Sequence, residues 1–458
     1  MSRTRPSSSS PIFNGNLPDH PSAEDIQRIK QQLLESYADV FATDSILKPM
    51  SGDPVKIHLD ENAQPFALTA ARQVPFAMRQ SVKEEIQKLL NKEIIERVGD
   101  EPTTWCHPLV AVRKPDGKTR ICVDLTKLNK FVSRPHHPLR SSKDATDAIQ
   151  PSDVYFSKLD MLMGYWQMPL AEESRHLTTF ICQEGRFRFR RAPMGLVSSG
   201  DDFNRRGDQA LQDILNVEKV VDDILIHTET FKDHISSIIA ILERCRHHSI
   251  TLNPAKFTFA AESVDFVGYR IGKHGIQADP AKVAAIVDFP TPTNISELRS
   301  FFGMVNQLGQ FSMEVASAAE PLRPLLKSKN IFQWLPDHTI AFNAVKSALA
   351  SPPILSPFDP DLPVELHTDA SRTRGLGFAL LQRSEDGHPH LIQCGSRFLT
   401  EAETRYATVE IEMLGAAWVV NKCHIYLAGL KNFTIFVDHK PLIPVLNNKT
   451  LDAIKNPA

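Results

Sequence analysis

Residues 217–229, VEKVVDDILIHTE, set two aspartates side by side inside an apolar run. Val220 and Val221 precede Asp222 and Asp223, and Ile224, Leu225 and Ile226 follow. An isolated carboxylate in a low dielectric is costly or neutralises by raising its pKa. The pair therefore needs a cation, a nearby base, or a turn that returns it to water. A tight turn between VV and ILI gathers both carboxylates at one end of a hairpin. A third acid, Asp160, follows the strand-like VYFSKL and can reach the same edge. Three carboxylates together repel one another unless divalent cations sit between them, and Mg²⁺ is the hard, oxygen-loving candidate. Two such ions about 4 Å apart form the clamp used for in-line phosphoryl transfer. A pair of solvated turn residues is the alternative, and spacing alone leaves both open.

The 458 residues allow two to four domains. Hydrophobic content of 42% and charged content of 23% are those of ordinary globular protein. No apolar run approaches the length of a membrane span, and MSRTRPSSSS lacks the apolar core of a secretory signal. Residues 1–22 read as a disordered tail. Six cysteines, at 106, 122, 182, 245, 394 and 423, form no CxxC pair. That argues against a zinc site or disulfide framework and suits a reducing compartment. A net charge of −2 confines any nucleic-acid surface to a local patch.

Periodicity places a helix over about 23–41 and another after Pro75, where Ser81 and Glu84 form a capping-box pattern ahead of Val82, Ile86, Leu89 and Leu90. WCHPLVAVRKPDGKTRICVDL, residues 105–125, reads as a hairpin turning at Pro-Asp-Gly. GRFRFRR alternates so that Arg186, Arg188 and Arg190 share one strand face, as a phosphate-binding patch or as a solvated edge strand. An amphipathic helix over 231–250 precedes a hairpin, FVGYRIGKHGI, turning at Lys273–Gly275. Asn294 or Ser296 caps the helix ELRSFFGMVNQL. A composition break at 351–363 separates the helix HTIAFNAVKSALA from a strand-rich segment beginning VELHTDAS. Mixed elements throughout indicate α+β domains in series.

Several ordered blocks carry a resemblance: LLESYADVF, WCHPLVAVRKPDGKTRICVDLTKLN, FSKLDMLMGYWQMPL, RRAPMGL, VVDDIL, FVGY and LRSFFGMVNQL, then WLPDHTIAFNAVKSALASPPIL, HTDAS, GSRFLTEAETRYATVEIEML and VDHKPL. From about residue 33 onward the chain resembles the reverse transcriptase–ribonuclease H region of Pol polyproteins from gypsy-class long-terminal-repeat retrotransposons. The resemblance implies a right-hand polymerase of fingers, palm and thumb followed by a ribonuclease H-like α/β domain. The expected borders are 23–285 for fingers and palm, 286–330 for thumb and connector, and 331–458 for the ribonuclease H-like part. It makes VVDDIL the aspartate-pair hairpin and Asp160 the first metal-binding aspartate. Lys114 and Arg120 match the residues that hold the incoming triphosphate, and Tyr165 matches the bulky gate beneath the sugar. Met194 and Gly195 match the motif that packs on the nascent base pair. FVGY resembles the hairpin supporting the primer end, and LRSFFGMVNQL a thumb helix in which Gly303 permits close approach to a backbone. Many relatives carry an aromatic residue where this chain has Val220.

By the same resemblance Asp369, Glu412 and Asp438 bind metal in the second active site. Asp369 is expected to end the first strand of that fold, and Asp438 to end FTIFV. Glu410 competes with Glu412, but two residues apart on a helix they point in different directions. Relatives usually have Thr where this chain has Val437. They also supply a fourth acid downstream, so the domain is expected to be C-terminally incomplete and its nuclease impaired. No aspartic protease motif and no zinc-binding integrase module is encoded. The implied partners are RNA and DNA template–primer and deoxynucleoside triphosphates, with no membrane. The implied cofactor is Mg²⁺, with Mn²⁺ able to substitute. The expected location is a cytoplasmic retroelement particle with access to the nucleus, not the secretory route. The competing reading is a catalytically inactive, retroelement-derived nucleic-acid-binding protein.

Overall fold

The computed structural model describes residues 17–41, 47–113, 117, 119–327, 330–384 and 386–448. Lys114 and residues 1–16 of the expected tail lie outside them. The chain divides into two compact units, one of residues 1–145 and 154–262, the other of 146–153 and 263–458.

The first unit holds two sheets. One has the strand order Val217–Val220, Asp223–Thr228, Tyr155–Asp160, Thr258–Ala261. Its two central strands are antiparallel, with Asp160 opposite Asp223. Helix Phe231–His247 packs on Asp223–Thr228. Ile224, Leu225 and Ile226 are all fully buried. A strand covered on both faces has no polar side, which explains the unbroken apolar run after the aspartates. Thr230 caps the helix by accepting from the Asp233 amide.

The other sheet has the order Ile95–Arg97, Gly185–Phe189, Phe180–Cys182, His107–Arg113, Thr119–Val123. Its last two strands form the hairpin expected around Pro-Asp-Gly. Gly185–Phe189 is not an edge strand, because Ile95–Arg97 pairs on its outer side. Phe187 and Phe189 face the core as the alternation required. The arginines are spoken for: Arg188 bonds Glu96 at 2.6 Å and Glu101 at 3.0 Å, Arg190 lies 3.5 Å from Glu93, and Arg186 donates to the Gly99 carbonyl at 2.6 Å. Acids on the neighbouring segment pair with Arg188 and Arg190, whereas Arg186 bonds a backbone carbonyl. The outer pairing strand removes the solvated-edge reading.

A further correction concerns the helix after Pro75. It spans Arg79–Asn91 and begins two residues before Ser81, so Ser81 sits inside the first turn and caps nothing. Val82, Ile86 and Leu89 are buried as their spacing required. A 3₁₀ turn, Phe76–Met78, leads straight into the helix and displaces the cap.

In the second unit Ser263–Phe266, Tyr269–Gly272 and Gly275–Ala278 form a three-stranded meander. The hairpin expected at Lys273–Gly275 is present, and FVGY itself is the preceding turn. Val267 and Gly268 both have positive φ there, the requirement of a type I′ hairpin. Ile276 and Leu355 exchange both backbone hydrogen bonds, at 2.7 and 2.8 Å. This bridge ties the meander to the later segment, within the second compact unit. Asn294 caps helix Ile295–Gln307. At Gly303 an added Cβ would meet nothing within 4 Å, so no part of the described chain approaches it closely.

The same unit holds a sheet ordered Pro389–Arg397, Gly375–Arg383, Val364–Ser371, Thr434–Val437. The final pair is parallel. Helix Thr408–Lys422 packs on this sheet through Val419, against Leu366, Phe378 and Leu380. Asp369 lies two residues inside its strand rather than at its end, because pairing with Gly375–Arg383 continues to Ser371.

Candidate active sites

The hairpin 217–228 turns on two residues, Val221 and Asp222, between Val220 and Asp223, which pair. Val221 has φ of 56°. A β-branched side chain rarely adopts that region, so the turn stores strain beside the acid it presents. The Met161 amide donates to the Asp222 carbonyl at 2.9 Å. Together with the Asp160–Asp223 register, this brings three acidic residues to one end of the sheet.

Two lysines meet them. Lys256 Nζ lies 2.6 Å from Asp160 Oδ2, and Lys158 Nζ lies 3.0 Å from Asp223 Oδ1. Burial pushes the Asp223 carboxyl above its ordinary range, Lys158 opposes that, and Asp222 and Asp160 add to it. The hydrogen bond to Asp160 holds the Lys256 ammonium above its ordinary value. Neither lysine was singled out from the sequence. Lys158 was legible, since two residues before Asp160 on a strand is the same face. Lys256 lies in a 3₁₀ turn and carried no signal.

A cleft of about 600 Å³ opens beside the acids, lined by Asp160, Asp222, Arg120, Tyr165, Met194 and Gly195. Arg120 Nη2 lies 3.0 Å from Met194 Sδ. Tyr165 meets the buried Phe203 edge to face, ring centroids 5.3 Å apart. The phenol is pushed up by burial and by the charge of Asp222. Asn129 holds the 195–197 turn from both sides, donating to the Gly195 carbonyl at 2.8 Å and accepting from the Val197 amide at 3.1 Å. Gly195 has φ of 87°, which favours glycine.

The second cluster lies on the sheet 364–397. Thr368 pairs with Val437 across the parallel strands, so Asp369 and Asp438 follow as neighbours. Glu412, 4% exposed, comes from the covering helix. Burial first, then Asp438 and Asp369, pushes its carboxyl up to about 7. Its Oε2 is buried without a hydrogen-bond partner. Glu410 instead accepts from the Ala407 amide at 2.8 Å and caps the helix.

Among the described residues no three His, Cys, Asp or Glu side chains stand as a ready-made metal cluster. The donor chemistry nonetheless fits hard divalent cations, since both sets offer carboxylate oxygens alone. The partnerless Glu412 Oε2 is the orphan such an ion would satisfy. All six cysteines are free. No described helix is long and apolar enough to cross a membrane.

Residues 112–271 match the family model described as reverse transcriptase (RNA-dependent DNA polymerase). Residues 334–435 match that described as the RNase H-like domain found in reverse transcriptase. The retrovirus-related Pol polyprotein from transposon opus of Drosophila melanogaster is 30% identical over 95% of this chain and 44% of its own length. The transposon Tf2-3 polyprotein of Schizosaccharomyces pombe is 28% identical over 91% of this chain and 31% of its own. The chain thus spans less than half the length of these curated relatives. Among solved structures, the foamy viral protease-reverse transcriptase in complex with dsDNA superposes with a TM-score of 0.82 at 20% identity, covering 96% of this chain and 90% of that one. The same viral protein in complex with RNA/DNA hybrid gives 0.78 at 20% identity, over 94% and 58%. At that identity the likeness shows the fold, and it is the α+β polymerase with an RNase H-like domain that the sequence blocks implied. With both domain models matched in order and Pol relatives aligned along nearly its whole length, the chain belongs to the reverse transcriptase–RNase H region of retrotransposon Pol polyproteins.

Proposed function

We propose that this chain is an RNA- and DNA-directed DNA polymerase with an appended RNA–DNA hybrid nuclease. One observation carries the polymerase reading: the register that sets Asp160 against Asp223, with Asp222 in the adjoining turn, beside a cleft of nucleotide size. Mg²⁺ held by these acids, or Mn²⁺ in its place, would activate the primer 3′-hydroxyl and neutralise the departing pyrophosphate. Lys256 and Lys158 offset the mutual repulsion of the carboxylates until then, and Lys256, 58% exposed along its side chain, is free to swing aside. Arg120 reaches the same cleft and offers a planar fork to phosphate oxygens. Lys114 shares that role by resemblance. The Tyr165 ring, braced on Phe203, excludes a 2′-hydroxyl and favours deoxynucleotides. Met194 and the bare Gly195 let a base pair lie flat against the turn that Asn129 holds.

Asp369, Glu412 and Asp438 form the nuclease site of the RNase H-like unit. Template–primer and deoxynucleoside triphosphates are the substrates, and a cytoplasmic retroelement particle is the setting.

The test is primer extension with deoxynucleotides on RNA and DNA templates. Asp222→Asn should lower the rate on the order of 10³-fold. Equal rates in variant and wild type would overturn the polymerase assignment and favour a non-catalytic binder. Tyr165→Ala should extend with ribonucleotides roughly 100-fold better relative to deoxynucleotides, and unchanged selectivity would remove Tyr165 from the gate.

A further inference from the structure

Lys219 is a charged residue on the strand leading into the aspartate turn, and it is 7% exposed. Its ammonium has three N–H donors and meets three acceptors: Asn204 Oδ1 at 2.9 Å, Asp208 Oδ1 at 3.1 Å and the Val221 carbonyl at 3.3 Å. Asn204 and Asp208 stand one turn apart on helix Val197–Leu211, whose Phe203 braces Tyr165. Val221 is the strained residue of the turn that presents Asp222. One side chain thus joins the helix behind the sugar gate to the turn before the metal-binding acid. The slot is built for it. A Cβ at Gly207 would stand 2.9 Å from Lys219 Cε, so the helix is bare where the lysine stem passes. Asp208 is shared with His137 Nε2 at 2.7 Å, which anchors its other oxygen.

We propose that Lys219 is a positioning residue for nucleotidyl transfer: by bonding the Val221 carbonyl from a fixed base on the helix, it holds the positive-φ turn in the geometry that aims Asp222. The role rests on the polymerase reading above. No group of Lys219 touches substrate, and it acts through the backbone of Val221.

Two variants separate this from mere structural support. Lys219→Met keeps the stem and removes the donors. Gly207→Ala leaves the lysine in place but pushes its far end off its acceptors, while alanine favours the helix over glycine. Both should fold, with Gly207→Ala melting within a few degrees of wild type by circular dichroism. In Mg²⁺-dependent primer extension, Lys219→Met should lower kcat roughly 10- to 100-fold and raise the half-saturating Mg²⁺ concentration severalfold. The deoxynucleotide KM should stay within about twofold, since the Tyr165 and Arg120 contacts remain. Gly207→Ala should shift the same two quantities in the same direction, by less. The Met161 amide, which donates to the Asp222 carbonyl, should exchange faster in both variants. Unchanged kcat and Mg²⁺ dependence in both, while Asp222→Asn is inactive, would overturn the role of Lys219 and leave the polymerase reading intact. If wild type itself fails to extend primers, the polymerase reading falls, and wild-type-like exchange at Met161 in Lys219→Met would then overturn the clamp as well.

Discussion

The two acid clusters meet the same electrostatic problem in different ways. In the polymerase-like unit, Asp160 and Asp223 are each matched by a lysine, at 2.6 and 3.0 Å. In the RNase H-like unit no described cation is placed on Glu412, and its carboxyl is pushed up to about 7. Repulsion among three carboxylates is relieved by a counterion in one case and by a proton in the other. On the proposed reading, a metal ion at the first site would displace an ammonium. One at the second would displace a proton, which would make that site the pH-sensitive one.

The largest expected effect is at Glu412. Glu412→Gln should lower hybrid cleavage by roughly 10²- to 10³-fold, while removing the cost of burying that charge. Because the folded value lies above the ordinary 4.5, the folded unit holds a proton that the unfolded chain releases between pH 4.5 and about 7. Stability therefore falls as pH rises through that window. The glutamine variant should be more stable than wild type at pH 8 by on the order of 2 kcal/mol, with no gain at pH 4. Thermal melts without divalent cations check both ends, and a gain that is equal at pH 4 and pH 8 would break the contrast.

Next comes the metal requirement itself. Lowering pH from 8 to 6 should raise the Mg²⁺ needed for hybrid cleavage by roughly tenfold, as a proton comes to occupy Glu412. The requirement for primer extension should move much less, because Lys256 stays charged across the range. Parallel Mg²⁺ titrations of the two activities measure the difference, and equal shifts would remove it.

The smallest effect is at Lys256. Lys256→Met takes away the ion that competes with metal at Asp160, so half-saturating Mg²⁺ for extension should drop about threefold, the scale of a solvent-exposed ion pair. An increase would show that Lys256 assists metal binding instead of opposing it.

Local chemistry made much of this legible in advance. The run VVDDILI announced a buried strand with a charged end, and Ile224, Leu225 and Ile226 are fully buried. Two-fold alternation in GRFRFRR placed Phe187 and Phe189 inside. It could not say what stands opposite the arginines. Glu96 and Glu101 come from a segment some 90 residues earlier, and both pair with Arg188. The Ser81 cap failed for a related reason. A capping pattern reads four residues, whereas the preceding 3₁₀ turn, set by the chain entering after Pro75, decided where the helix began.

What the amino-acid order determined by itself was the inventory: which segments are apolar enough to pair and where turns fall, because propensity and periodicity act over a few neighbours. Only tertiary structure decided which cation meets which carboxylate. Lys256 reaches Asp160 from 96 residues away, and Glu412 meets the charges of Asp369, on one strand, and Asp438, just past the end of another. Electrostatic energies fall with distance through space, not along the chain, so the state of each acid became readable once the sheets had closed.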